Sequence, residues 1–158
     1  MTGVLLLVTV TTLYAGYNLL IKLSASHVPE AATTTIAATI CLQIAALTTS
    51  LVFVIIAMAR GGQTLQLTSG AYLWAAAAGL CIGGAEIAYF YLFGGIGGIK
   101  PMAATVVIPT VVSGTILITV IAAYFIFSET LGMIQLAGLG CIVIGMLLLY
   151  YGKDLALT

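Results

Sequence analysis

From Pro101 to Phe127 no residue carries a formal charge, and the stretches Gly3 to Leu23, Glu30 to Ala59, Gly70 to Phe93 and Thr130 to Tyr151 are nearly as apolar. Each is long enough for the roughly 20 residues that a helix needs to cross about 30 Å of hydrocarbon. Hydrocarbon offers backbone groups no partner, so a stretch of this kind satisfies its own N–H and C=O groups by forming a helix. The expected fold is therefore an all-α membrane protein, a single five-helix transmembrane domain over residues 1–158. Composition agrees, because a soluble chain of 158 residues with 63% hydrophobic and 5% charged residues could not cover its apolar surface. No basic region or small-residue cleavage site precedes the apolar run that begins at Val4, so that run reads as a span and not as a secretory signal.

Short connections separate the spans. Ser24 to Val28 form the first turn, Pro29 suits a first helical position, and Glu30 complements the positive end of the second helix. The second connection is the polar run Arg60, Gly61, Gly62, Gln63, Thr64, Leu65, Gln66. Gly94, Gly95, Gly97 and Gly98 loosen the end of the third span, and Lys100 and Pro101 restart the chain as a fourth helix. Ser128 and Glu129 make the tightest turn, with Ser128 as N-cap of the fifth helix. The second span is longer than a bilayer requires. It either tilts or leaves Thr33, Thr34 and Thr35 in the interface. Five spans put Lys22, Lys100 and Lys153 on one side and Arg60 on the other, which favours an outside N-terminus and an inside C-terminus. So small a bias also permits insertion in both senses.

Several functions are set aside by absence. A net charge of zero supplies no basic patch for nucleic acid. Cys41, Cys81 and Cys141 fall in different apolar segments, away from His or a second Cys at ligand spacing, and read as small packing residues. No metal or other cofactor is expected. No Walker-type motif is present, so the chain is not read as an ATPase. The lone His27 beside a turn with Glu30 reads as solvated surface, and the chain is not expected to be an enzyme.

Glu86 is the outstanding residue. It interrupts an otherwise uncharged span, where a charged side chain costs about 2.5 to 3.5 kcal/mol or more, and an ionisable group at such a place is a functional-site hypothesis by default. Removal from water disfavours the charged form of a carboxylate, so a group of this type can gain and lose a proton near neutral pH. The alternative is a neutral Glu that ties two helices together. Tyr89 and Phe90 follow one turn later, and aromatic faces beside a carboxylate suit a cationic or aromatic ligand. Tyr91 and Phe93 read instead as an interfacial belt, as do Tyr72 and Trp74 at the other end of the span.

Polar stripes mark the neighbouring spans. Tyr14, Asn18 and Lys22 recur every four residues, share one helical face and are candidates to line a cavity; the competing readings are interhelical hydrogen bonding for Asn18 and snorkelling for Lys22. Thr35, Thr39 and Gln43 form a similar stripe, on which Gln43 is the sharper candidate because threonine hydroxyls can bond back to the preceding turn. Pro109 removes a backbone donor, frees the carbonyl of Thr105 and is a candidate hinge. Ala137, Cys141 and Gly145, with Gly138 alongside, present a small-residue face suited to close helix contact in a dimer.

The third to fifth spans also resemble a known family. Pro109, the acidic turn Glu129, Thr130, Leu131, then Gln135, Gly138 and Gly145 are similar in order and spacing to the second part of an EamA-type repeat of the drug/metabolite transporter superfamily. Tyr14, Asn18 and Lys22 ahead of Pro29 resemble the start of such a repeat, so the likeness covers nearly the whole chain. Most members carry ten spans as two inverted five-span repeats, whereas this chain resembles a single repeat; Glu86 maps onto no motif of the family. The resemblance implies a secondary transporter of small organic metabolites or amphipathic cations. It implies substrate binding between inverted repeats, with the second repeat supplied by another copy, antiparallel, or by a paralogous five-helix partner. Glu86, on its place within an apolar span and not on the resemblance, would exchange protons against substrate, and the inner membrane of a prokaryote is the expected location. The competing reading is a non-transporting membrane subunit packed against a partner protein.

Overall fold

The computed structural model describes residues 2–29, 32–62, 64–95 and 98–155, with the backbone alone at 32 and 153–155. Glu30, Gln63 and Gly97, to which the sequence assigns roles at turns, lie outside the described residues. The described chain is helical, with no strand, in the order α1 (Thr2–Ala25), α2 (Ala32–Ala59), α3 (Ser69–Gly94), α4 (Ala104–Phe127) and α5 (Met133–Leu155). All five helices are long and apolar enough to cross a membrane. This is the make-up of an integral membrane protein.

Helix ends follow local chemistry. At the end of α2, Gly61 and Gly62 take positive φ, and the Gly61 N–H donates to the Met58 carbonyl. Thr68 caps α3, its hydroxyl accepting from the Ala71 N–H at 3.3 Å. Gly95 ends α3 in the left-handed conformation, φ 73°, with its N–H donating to the Tyr91 carbonyl.

Two expected boundaries are corrected. Pro101 does not begin the fourth helix; it is packed against Gly95, and α4 starts only at Ala104. Ser128 is not the N-cap of α5 but the left-handed residue that ends α4, φ 54°. The start of α5 is capped from inside the helix, where Gln135 Oε1 accepts the Gly132 N–H at 2.7 Å. That bond is the side-chain half of a capping box.

The chain forms two compact units, Met1–Pro101 and Met102–Thr158. In the first, α3 is central and packs against both α1 and α2. The buried core lies towards the C-terminal ends of α1 and α3, where Ile21, Ala25, Phe90 and Phe93 are each 3% exposed or less. Most other large apolar residues of these helices face outward, as a lipid-solvated bundle requires. In the second unit α4 packs against α5, and Val106 and Val107 are its buried residues.

Candidate functional site

The candidate site belongs to the first unit. Small residues on α3 let α2 approach: Gly83 has no side chain, and a Cβ there would stand 3.5 Å from Gln43 Nε2. From the same stretch Glu86 turns inward and is 4% exposed. Its Oε2 is fully buried and finds no hydrogen-bond partner among the described residues. A buried carboxylate oxygen without a donor is an expensive arrangement, relieved by a proton on the carboxyl or by a cationic ligand beside it.

A cavity of about 300 Å³ has Glu86 in its wall. Its walls are Leu13, Tyr14 and Tyr17 from α1, Leu42, Gln43 and Ala46 from α2, and Ile82 and Glu86 from α3. The rings of Tyr14 and Tyr17 meet edge to face, centroids 6.1 Å apart. Aliphatic walls with a few convergent polar groups are the usual construction of a small-molecule site, and this volume is at the small end of the range.

Of the residues singled out by sequence, Tyr14, Gln43 and Glu86 come together here on three different helices. Asn18 is buried but lies outside these walls, and its amide donates to the Tyr14 carbonyl of its own helix at 2.8 Å. Tyr89 is also buried and outside the walls, its ring edge to face with Phe93 at 5.2 Å. The Thr39 hydroxyl donates to the Thr35 carbonyl, the back-bonding that lets threonine sit in an apolar helix. Tyr17 is the wall residue that the four-residue stripe passed over; its aromatic ring three residues after Tyr14 was the available signal.

Other expectations give way to packing. Phe93 is no belt residue: it is 2% exposed, with Tyr89 on one side and Lys22 above its ring. Lys22 reaches the last turn of α3 and donates to the Phe93 carbonyl at 3.4 Å. Trp74 and Tyr72 do face outward, at 74% and 56% exposure. The three cysteines are free and exposed, so they face out of the chain and do not fill its interior. His27 is engaged within its own turn, Nδ1 lying 2.8 Å from the Leu23 carbonyl.

In the second unit Pro109 lies inside α4, little more than a turn from its start, and the helix runs on through it. The neighbouring Thr110 hydroxyl is buried without a partner among the described residues. On α5, Ala137 and Cys141 are exposed, and a Cβ on Gly145 would meet nothing within 4 Å.

Comparison with known protein families, with curated proteins and with solved structures finds no match.

Proposed function

We propose that this chain is a secondary transporter in which Glu86 exchanges a proton against a small amphipathic cation. One observation carries the reading: a fully buried, unpartnered carboxylate oxygen beside a cavity walled by two tyrosines and an amide. In the deprotonated state Glu86 supplies a counter-charge and the rings of Tyr14 and Tyr17 supply cation–π attraction, about 0.5 to 2 kcal/mol for each well-placed face. In the protonated state the carboxyl is neutral and the cation loses its partner. Proton and substrate then compete for one group, which is the minimal requirement for exchange. Gln43 adds a hydrogen-bonding amide, and aliphatic Leu13, Leu42 and Ile82 receive the apolar body of the ligand.

The chain is proposed to act as an EamA-type repeat of the drug/metabolite transporter superfamily in a prokaryotic inner membrane. It would pair with a second, antiparallel copy through the outward face of Ala137, Cys141 and Gly145. That same face also favours a second reading, a membrane subunit that packs against another protein without transporting anything. Purified protein in liposomes separates the two, since only a carrier gives saturable flux on its own. The decisive comparison is wild type against Glu86→Gln, which keeps shape and a hydrogen-bonding head but cannot titrate. Addition of benzyltrimethylammonium is expected to move protons across wild-type liposomes and to move none with the variant. A Glu86→Gln protein that still drives substrate up a proton gradient as well as wild type would show that another group couples the proton.

A further inference from the structure

Gln43 stands in the walls of two hollows. One is the cavity at Glu86; the other is a groove of about 600 Å³ along the α2–α3 pair, lined on α2 by Ile36, Thr39, Ile40, Gln43, Ile44 and Leu47. On α3 the groove is lined by Gly79, Leu80, Gly83, Gly84 and Ile87, whereas the cavity is lined by Ile82 and Glu86. The two linings thus share a single residue. Opposite it is Gly83, which contributes no side chain, and the Gln43 amide nitrogen is within van der Waals reach of where one would begin. At this level the one residue common to both linings carries a long, unbranched side chain, which can change rotamer without parting the helices.

The chemistry on the two sides differs in a directed way. None of the described residues that line the groove is charged, and the Thr39 hydroxyl is committed to the Thr35 carbonyl. Beyond Gln43 lies the carboxyl of Glu86, 4% exposed and with its Oε2 unpartnered. A groove with that lining suits the aryl or alkyl body of a molecule already dissolved in the bilayer, and the first strong electrostatic attraction such a molecule meets is past Gln43. We propose that amphipathic monovalent amines reach Glu86 from the lipid side through the α2–α3 seam, with Gln43 as the gating side chain and Gly83 as the clearance in which it moves. This rests on the cation-exchange reading of the Glu86 cavity and adds the route and the residue that controls it.

A gate alters how fast a ligand arrives and leaves without altering how tightly it is held, and that separates it from a binding contact. The test follows association and dissociation of radiolabelled benzyltrimethylammonium with purified protein in lipid discs. Gly83→Val, which fills the clearance, is expected to slow both rates by about tenfold with little change in Kd; Gln43→Ala, which removes the gate together with one amide of the cavity wall, is expected to speed association whatever its effect on Kd. Should the valine variant not fold, Gly83→Ala, whose added carbon meets Gln43 at an ordinary contact distance of 3.5 Å, is expected to shift the rates in the same sense by less. Rates equal to wild type in the Gly83 variants, a change there in dissociation alone with a matching change in Kd, or association no faster than wild type in Gln43→Ala would overturn the gate while leaving the Glu86 site standing. Failure of wild type to bind the amine at all would remove both the site and its gate.

Discussion

Lys22 joins the ends of α1 and α3: its Nζ donates to the Phe93 carbonyl at 3.4 Å and stands 5.3 Å from the centre of the Phe93 ring. The last carbonyls of a helix have no partner within it and carry partial negative charge, so an ammonium from a neighbouring helix satisfies both needs together. The contact lies beside the apolar core of Ile21, Ala25 and Phe90, at one end of the unit that holds the Glu86 cavity.

Lys22→Met keeps the apolar stem and removes the ammonium. The bond is long and the side chain half-buried, so the loss is expected to be about 1 kcal/mol in unfolding stability, read as a lower midpoint in a detergent-denaturation titration. Amine affinity at Glu86 is expected to change little, because Lys22 is not in the cavity wall. A stability equal to wild type would mean that helix packing alone holds these ends together.

Gly95 is expected to be the least replaceable glycine of the first unit. Its φ of 73° is disfavoured for any residue with a side chain, and a Cβ there would overlap the ring of Pro101. Gly98 has φ 83° but nothing within 4 Å of its would-be Cβ, so it isolates the conformational cost. Gly98→Ala should cost about 1 to 2 kcal/mol and Gly95→Ala clearly more, measured by the same titration. Equal losses would show that Pro101 shifts freely away.

The Gln135 side chain accepts the Gly132 N–H at 2.7 Å and so begins α5. Gln135→Leu keeps the helix apolar but removes the acceptor, at an expected cost of about 1 kcal/mol. Hydrogen exchange in the first turn of α5 is expected to quicken while α4 keeps its protection. Unchanged exchange would show that the turn does not depend on this cap.

Much of what the sequence makes legible, and of what it hides, follows from the apolarity of the spans. The helices were readable because an uncharged apolar run in hydrocarbon has few other forms available, and Glu86, Asn18 and Gln43 stood out because each is costly there. Their direction was harder to read. In a soluble helix the apolar face points inward, but here both faces are apolar, so nothing local distinguished buried Phe93 from exposed Trp74 or marked Tyr17 as a wall residue. The displaced start of α4 and the reassigned Ser128 have a different origin. They turn on backbone conformation, extended at Ala103 before α4 and left-handed at Ser128 after it, which residue identity alone does not fix.

The outward face of α5 yields the last expectation. Exposed Ala137 and Cys141 and the open space at Gly145 allow another helix to come close, and in lipid such contact is stabilised by packing and not by the hydrophobic effect. Leu at position 145 would meet nothing within the chain's own described residues near its Cβ, so the fold should tolerate it. A second copy approaching that face would instead be held off by the larger side chain. Gly145→Leu is therefore expected to leave unfolding stability unchanged at high dilution in detergent and to raise the dissociation constant for self-association about tenfold, measured by energy transfer between labelled copies in lipid. If transport is built between two copies, flux per protein should fall with dimer content and recover at high protein-to-lipid ratio. Unchanged association would place the contact on another helix. Lost stability without lost association would mean that α5 uses this face to pack within its own chain.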